Sequence, residues 1–256
     1  MPLIEVTPPS GKPLGSNWPF KVFAKPVIGL LNIWLKRDWH GGENIPKNGP
    51  VLIVSNHISY LDALVLAHFL YKNGRAARFL GKESLFRAPI IGRIISEAGQ
   101  VPVHRESDGA SDAIESAVKL LELGHCVGVY PEGTLTRDEN LWPMVAKTGA
   151  ARIAIKSGAP VIPVAQWGDQ NFIPRYSTKI GWYKRHKVSM VAGKPIDLSK
   201  WHDKADDPAA MKEATAHIMR EITKLLEGIR RESAPTTIFD PHESGLPRFG
   251  NPKKAK

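Results

Sequence analysis

Residues 51–62 read VLIVSNHISYLD, an apolar run that ends in polar residues. A short apolar run of this kind is typical of a buried strand that delivers a loop to the edge of a sheet. The loop contains His57 and Asp62, separated by four residues. An imidazole and a carboxylate in this order form the pair needed to take a proton from a hydroxyl, because the carboxylate holds Nδ1–H and leaves Nε2 as the base. The alternative role for Asp62 is that of a helix N-cap.

The chain has 256 residues and a formal net charge of +10. Its length fits one α/β domain or two small domains, and a chain of this size buries enough surface to form a core without cross-links. Hydrophobic residues (42%) and charged residues (23%) have the frequencies of an ordinary globular protein. The excess of Lys and Arg indicates an anionic partner, and the composition does not choose among nucleic acid, an acidic lipid surface and anionic substrates.

The single cysteine, Cys126, excludes an internal disulfide and a cysteine-rich metal cluster. It lies in a strand-like apolar run, so we expect a buried and unreactive thiol. The histidines are scattered along the chain and form no His-x-x-x-His pair. The sequence therefore predicts no metal site.

The N-terminus shows no secretory signal, and no segment approaches the ~20 apolar residues of a membrane-spanning helix. Residues 18–39 nevertheless mix aromatic and aliphatic residues with lysines, which is typical of an interfacial anchor. Pro26 is expected to break or kink this segment into two short helices. The alternative for the segment is a helix packed on the core of the protein. We expect a peripheral protein on the cytoplasmic face of the membrane.

Three regions are predicted along the chain. Residues 1–39 form an arm followed by an amphipathic helical segment, residues 40–232 form an α/β domain, and residues 233–256 form an irregular tail. Strands are predicted at 51–54, 77–81, 100–103, 126–130, 161–165 and 187–192. Helices are predicted at 61–71, 84–96 in two pieces, 109–123, 147–157 and 208–230. This alternation predicts a mostly parallel central sheet with helices on both faces, whose ligands bind at the carboxyl ends of the strands.

Three further segments have a similar position after or within predicted strands. They read Val101-Pro102-Val103-His104-Arg105, Tyr130-Pro131-Glu132-Gly133-Thr134 and Val161-Ile162-Pro163-Val164. Together with the Asn56-His57-x4-Asp62 block, their order and spacing resemble those of the glycerolipid acyltransferase family. This family includes glycerol-3-phosphate and 1-acylglycerol-3-phosphate acyltransferases. The resemblance covers roughly residues 40–195.

The resemblance implies roles for residues of the first and third segments. It makes His57 the general base and Asp62 the group that orients it. It places Glu132, Gly133 and Thr134 in the pocket for the acceptor, where Gly133 permits a close approach of the backbone.

The resemblance also assigns the phosphate of the acceptor to Arg105 and Lys82, since Arg binds phosphate bidentately and Lys acts as a point charge. The third block of the family commonly continues Thr-Arg-Ser, whereas this chain reads Thr134-Leu135-Thr136-Arg137. The positive charge is thereby moved two positions along the chain. Arg137 is a candidate to take over phosphate binding.

A His-Asp pair without a nucleophile of its own implies that the attacking hydroxyl belongs to the substrate. Ser55 and Ser59 are close in sequence, but no Gly-x-Ser-x-Gly turn is present to lift a serine into reach. Direct transfer without an acyl-enzyme is therefore predicted. The resemblance implies a thioester donor, either acyl-CoA or acyl-carrier protein, and no other cofactor.

The expected acceptor is a lysophospholipid, 1-acylglycerol-3-phosphate, which would give phosphatidic acid. Glycerol-3-phosphate, another lysophospholipid and a glycolipid are alternatives that would use the same His57 and Asp62. We expect a hydrophobic groove near His57 for the acyl chain and an anionic membrane surface as a partner. Two other classes are a hydrolase that activates water and a nucleic-acid-binding protein. The basic residues are dispersed without a nucleic-acid-binding signature, so no nucleic acid is expected.

Overall fold

The computed structural model describes residues 7–103, 109–177, 179–245 and 251. The strands are β1 (Leu35–His40), β2 (Val51–Ser55), β3 (Ala77–Lys82), β4 (Val101–Val103), β5 (Cys126–Val129), β6 (Val161–Trp167) and β7 (His186–Ala192). They form one sheet in the order β1-β7-β6-β2-β5-β3-β4. Neighbouring strands are parallel except for β6 and β7, which are antiparallel. The mostly parallel sheet predicted from the sequence is confirmed.

Helices cover both faces of this sheet, as predicted. They are α1 (Trp18–Trp34), α2 (Asp62–Lys72), α3 (Glu83–Phe86), α4 (Ile91–Glu97), α5 (Gly109–Glu122), α6 (Gly149–Ser157) and α7 (Pro208–Arg230). Buried side chains of α5, α6 and α7 form the core on one face, and those of α1 and α2 form the core on the other. At the start of α7 the Asp207 side chain accepts hydrogen bonds from two backbone N–H groups, and Pro208 is the first helical residue, as expected of this pair.

Strand β2 lies in the middle of the sheet, between β5 and β6. Its side chains alternate between the two cores: Leu52 and Val54 face one, and Val51 and Ile53 face the other. All four are fully buried, so the strand has no freedom to shift its register. The loop that follows β2 is therefore held at the centre of the carboxyl edge.

The N-terminal segment differs from the prediction in two ways. Helix α1 runs without interruption across Pro26, so the expected division into two short helices is wrong. Pro26 lies on the exposed face, where water can bond the carbonyl group that proline leaves without its helical partner. Residues 35–39 are not helical: they belong to β1, which pairs with β7 at the edge of the sheet.

One face of α1 packs on the protein, and the other is exposed. Phe20 and Leu31 are buried, whereas Trp18, Leu30 and Ile33 are exposed. The predicted alternative of a helix packed on the core thus holds for one face of α1, and the interfacial anchor stays a prediction for the exposed face. In the part of the chain that the structure describes, no helix is both long and apolar enough to cross a membrane.

The described part of the tail, residues 233–245, has no helix or strand but packs against the domain. The Val145 N–H donates to the Phe239 carbonyl oxygen over 3.0 Å. Cys126 is buried in β5, and burial raises the pKa of its thiol to about 12, which keeps it protonated as expected.

Candidate active site

His57 lies in the loop after β2, and the neighbouring Asn56 fixes that loop to β6. The Asn56 side chain donates to the Gln166 carbonyl oxygen over 3.0 Å and accepts from the Gln166 N–H over 2.9 Å. The Gln166 side chain in turn donates to the Asn56 carbonyl oxygen over 3.1 Å. Both residues are fully buried, so these bonds are protected from water. Asn56 therefore holds the backbone on which the His57 side chain is mounted.

His57 and Asp62 are in direct contact, as the sequence predicted. Asp62 is the first residue of α2, and its Oδ2 lies 2.7 Å from His57 Nδ1 and 2.6 Å from the Ile58 backbone nitrogen. Asp62 makes no capping bond to α2; its carboxylate is directed back to the loop instead. An ionised carboxylate can only accept, so Nδ1 carries the proton and Nε2 carries the lone pair.

The dyad lies at the boundary between the core and a cavity. The His57 side chain is 20% exposed, and the Asp62 side chain is fully buried. Burial raises the pKa of Asp62 to about 6, while hydrogen bonds from Asp169 and from backbone N–H groups act in the opposite direction. Asp62 is therefore ionised near neutral pH and becomes protonated in mild acid.

A stack of aromatic rings fixes the plane of the imidazole. The Tyr130 ring is parallel to the His57 ring, with 4.2 Å between the centroids and 18° between the planes. Phe79 stacks on Tyr130 at 6.4 Å. Asp62 holds one edge of the imidazole, and Tyr130 packs on its face. Together these two contacts determine the direction in which Nε2 points.

Glu132 joins the His57 loop to the segment around residue 144. Its two oxygens accept the backbone N–H groups of His57 (3.0 Å) and Met144 (3.1 Å), and the side chain is buried. Burial raises the pKa of Glu132 to about 8 against the effect of these bonds. The predicted place of Glu132 is the acceptor pocket, but it is not among the residues that line the cavity, and its side chain joins two backbone segments. Its oxygens are directed to backbone groups rather than to an open space.

The next two residues do lie at the cavity. Gly133 and Thr134 both line it, and their role in acceptor binding stays a prediction. Gly133 has a φ of 71°, and a Cβ there would meet the Lys147 side chain at 3.3 Å, so this turn favours glycine. The Thr136 N–H donates to the His57 carbonyl oxygen over 2.7 Å, which ties the same turn to the dyad.

Arg137 is buried beside this turn and does not line the cavity. It is 4% exposed, and among the described residues neither Nη1 nor Nη2 has a hydrogen-bond partner. Arg175, which is not among the predicted site residues, donates from Nη1 to the carbonyl oxygens of Thr136 and Asp138, the residues before and after Arg137. Arg175 belongs to no motif and follows β6 by eight residues, so no signal in the sequence marks it.

Two of the predicted phosphate-binding residues fall outside this description. Arg105 and its neighbour His104 lie outside the described residues. Lys82 is the last residue of β3, but its side chain is not described.

A large apolar cavity opens beside His57, as expected for an acyl chain. Its volume is about 1380 Å³, which exceeds the ~300–1,000 Å³ of ordinary ligand pockets. Lining residues come from both faces of the sheet, among them Phe20, Val27 and Ala63 on one side and Ile153, Met219 and Ile238 on the other. Ile238 belongs to the tail, which thus forms part of the wall.

The described residues contain no group of three or more His, Cys, Asp or Glu side chains placed to hold a metal ion. The site consists of the base His57 Nε2, the carboxylate of Asp62 and an apolar space. Chemically, this arrangement can take a proton from a hydroxyl group that reaches Nε2 from the cavity.

Similarity to known proteins agrees with this description. A family model for acyltransferases matches residues 36–167. A chloroplastic 1-acyl-sn-glycerol-3-phosphate acyltransferase of Brassica napus is 35% identical over 64% of this chain and 46% of its own length. A protein of the same name from Borreliella burgdorferi is 35% identical over 56% of each chain, and one from Bacillus subtilis is 28% identical over 72% of this chain and 87% of its own.

The chain thus spans about half the length of the Brassica and Borreliella relatives. The crystal structure of the 1-acyl-sn-glycerophosphate (LPA) acyltransferase PlsC from Thermotoga maritima superposes with a TM-score of 0.63 at 24% identity, covering 84% of this chain and 80% of that one. This likeness shows that the fold is shared. With the family model matching half of the sequence around the His57 loop, the chain belongs to the acyltransferase family.

Proposed function

We propose that this protein transfers a fatty acyl group from a thioester to the free hydroxyl of 1-acylglycerol-3-phosphate and so makes phosphatidic acid. The observation on which the proposal rests is the His57–Asp62 pair at the edge of an apolar cavity of about 1380 Å³. The names of the relatives from Brassica, Borreliella and Bacillus support this choice of acceptor.

In the proposed reaction, His57 Nε2 takes the proton of the acceptor hydroxyl as its oxygen attacks the thioester carbonyl. The new ester C–O bond forms and the C–S bond breaks. The imidazolium then gives its proton to the leaving thiolate, which departs as the thiol. Asp62 stabilises the imidazolium while it exists. Acyl-CoA and acyl-carrier protein both supply such a thioester, and the scheme needs no further cofactor.

The two serines near His57 support direct transfer rather than an acyl-enzyme. The Ser59 hydroxyl donates to the Ile173 carbonyl oxygen over 2.7 Å, and Ser55 is fully buried. Each is therefore placed as a structural hydroxyl, and the attacking oxygen is left to the substrate.

The acceptor is tested by incubating the protein with one radiolabelled acyl thioester and a panel of acceptors, followed by mass analysis of the products. The panel contains 1-acylglycerol-3-phosphate, glycerol-3-phosphate, other lysophospholipids and a glycolipid. We expect label in phosphatidic acid. Label that accumulates only as free fatty acid, whatever acceptor is added, would assign the protein to the hydrolases instead.

Arg137 is our candidate for the phosphate of the acceptor. A buried guanidinium without a partner is costly, and a phosphate would satisfy it with a bidentate pair of charged hydrogen bonds. Tyr176 is close enough to interact electrostatically with Arg137, Arg175 and Tyr60, and Tyr60 lines the cavity next to His57. These interactions place Arg137 in the neighbourhood of the cavity, although it does not line the cavity itself. Lys82 and Arg105 stay as further predictions from the family resemblance.

Arg137→Met retains most of the side-chain length and removes the charge. We expect KM for 1-acylglycerol-3-phosphate to rise about 10- to 100-fold, the worth of hydrogen bonds to a charged group, with a smaller effect on acceptors without a terminal phosphate. Steady-state kinetics with both kinds of acceptor measure this. Arg220→Met on the exposed face of α7 is the matched control. An equal rise for both acceptors would contradict phosphate binding by Arg137.

We propose that the exposed face of α1 rests on an anionic bilayer at the cytoplasmic face of the membrane. Trp18, Val22, Leu30 and Ile33 are spaced by four, eight and three residues, which puts them on one side of the helix as an apolar stripe, with Lys25 exposed beside it. Aromatic and basic residues next to aliphatic ones are typical of interfacial helices.

The loop 179–185 extends this surface. Trp182 and Tyr183 are 71% and 75% exposed, and Lys184 lies over the Tyr183 ring. Arg185 donates to the carbonyl oxygens of Asn32 and Leu35, which fixes the loop against the end of α1. The stripe and the loop therefore form one patch of apolar and basic side chains, suited to anionic headgroups above an acyl layer.

The triple variant Leu30→Ser, Ile33→Ser and Trp182→Ser tests this surface. All three side chains are exposed, so folding should persist, whereas deletion of residues 1–38 would remove part of β1. Each apolar side chain contributes about 1.5–3 kcal/mol when buried, so we expect partition onto anionic liposomes to fall at least about 100-fold in flotation assays. Arg220→Ser on α7, across the sheet from α1, is the control. Unchanged flotation would assign membrane binding to another surface.

A further inference from the structure

A second carboxyl group lies directly behind the dyad. Asp169 is in the 3₁₀ segment Asp169–Asn171 that follows β6, and both Asp169 and Asp62 are 0% exposed. Asp169 belongs to none of the motifs in the sequence. Each of the two groups has one buried oxygen without a hydrogen-bond partner among the described residues, Asp62 Oδ1 and Asp169 Oδ2, and each group shifts the pKa of the other.

The hydrogen bonds of the two groups leave one oxygen on each without a backbone donor. Asp62 Oδ2 accepts from His57 Nδ1 and from the Ile58 N–H, and Asp169 Oδ1 accepts from the Gln170 N–H over 3.1 Å. Asp62 Oδ1 and Asp169 Oδ2 are buried and have no hydrogen-bond partner among the described residues, while the Ser59 backbone lies near enough to Asp62 to lower its pKa. Two ionised oxygens in contact would repel each other, and a single proton between them turns the contact into a hydrogen bond.

The surroundings offer little positive charge to hold two carboxylates. Among the ion pairs of the described residues, none joins Lys or Arg to Asp62 or Asp169, and His57 is the basic partner of Asp62. The other titratable groups that face the pair are Tyr130, whose hydroxyl is buried beside both carboxyl groups, and Glu132. Both are acids. Two adjacent buried charges without a cation are strongly disfavoured, so the pair holds one negative charge.

We propose that Asp169 is a protonated carboxylic acid that donates a hydrogen bond from Oδ2 to Asp62 Oδ1 and so positions the ionised Asp62 against His57. The proton belongs to Asp169 because Asp62 already accepts two N–H bonds on its other oxygen, which favour its ionised form. Asp169 touches no substrate; it is a positioning residue that acts through Asp62.

The direction of the pKa shifts agrees with this assignment. Burial and the neighbouring Asp62 raise the pKa of Asp169 well above its ordinary range, whereas the bond from Asp169 lowers the pKa of Asp62 against the effect of burial. Removal of the donor would therefore raise the proton affinity of the His57–Asp62 pair. If Asp169 were ionised instead, its removal would take away a negative charge and lower that affinity.

The two protonation states of Asp169 thus predict opposite shifts in the proton affinity of the His57–Asp62 pair when the residue is removed. A kinetic test can distinguish them, and it rests on the proposed acyl transfer. In Asp169→Asn the amide N–H₂ replaces the acid as donor, and we expect the acid limb of kcat/KM to stay in place. In Asp169→Ala we expect the limb to move about 1–2 pH units higher, the worth of one hydrogen bond to a charged group. A limb that moves to lower pH in both variants, or one that does not move in Asp169→Ala, would overturn the proposal.

A second measurement needs neither substrate nor activity. The infrared difference spectrum of wild type minus Asp169→Asn at neutral pH should contain a carboxylic acid C=O band that shifts in D₂O. A pair of carboxylate bands in its place would show that Asp169 is ionised and would refute the proposal, even if the protein catalysed a different reaction. Because this spectrum is independent of acyl transfer, failure of the proposed function and failure of this inference are separable.

Discussion

Replacement of His57 by alanine is expected to lower kcat for acyl transfer by about 10²- to 10⁴-fold, the usual contribution of a well-placed general base. The acceptor hydroxyl would then have to attack the thioester without a group that takes its proton. The fold should survive, because the bonds from residue 57 to Glu132 and Thr136 use backbone atoms that alanine retains. The rate is measured with labelled thioester, and folding by circular dichroism and thermal unfolding.

Two further variants sharpen this experiment. His202→Ala removes an exposed imidazole and should leave the rate unchanged. Added imidazole should restore part of the activity of His57→Ala, since the substitution empties a space between Tyr130 and the cavity. A folded His57→Ala protein that retains more than ~10% of the wild-type rate would rule out the general-base role.

Asp62→Asn is expected to have the second-largest effect, a loss of about 10²- to 10⁴-fold in kcat with little change in KM. The amide oxygen can still accept from His57 Nδ1 and the Ile58 N–H, so the geometry persists, but the charge that stabilises the imidazolium is gone. If the amide rotates, its N–H₂ faces Nδ1 and forces the proton onto Nε2, which blocks the base. A rate within about tenfold of wild type would contradict a role for the carboxylate.

The ionisation of Asp62 leads us to expect that the rate depends on pH. The pKa of Asp62 is raised to about 6, so its ionised form is present above that value and is lost as the pH falls through it. We expect kcat/KM of the wild-type protein to fall on the acid side near this pH. A rate that is constant from neutrality down to well below it would show that the charge of Asp62 is not required.

The parts of the fold that the sequence predicts well are those whose apolar residues follow the pattern of their element. Strand β2 is an uninterrupted apolar run because both of its faces are covered, and the segments 208–230 and 109–122 show clear helical spacing. Strand β1 cannot be predicted from such a pattern. Its middle residues Lys36, Arg37 and Asp38 are charged, and its pairing with β7 depends on a segment about 150 residues away.

In the site, too, residues that are close in sequence can be predicted to act together, whereas residues that are far apart in sequence cannot. His57 and Asp62 are near each other in sequence, so a local pattern is sufficient to pair them. Asp169 and Arg175 reach the site only because β6 runs beside β2, and nothing in their own neighbourhood marks them. The role of Glu132 shows a different limit: a motif gives the residue but not the direction of its carboxylate, which is set by the backbone of residues 57 and 144.

The central claim is that the hydroxyl group activated by His57 belongs to the acceptor. The most direct measurement is a single-turnover experiment in which thiol release from the acyl thioester and the intact mass of the protein are followed before and after the acceptor is added. We predict no thiol release and no acyl-protein until 1-acylglycerol-3-phosphate is present, and none with an analogue that lacks the free hydroxyl. An acylated protein, or a burst of thiol before the acceptor is added, would contradict the account.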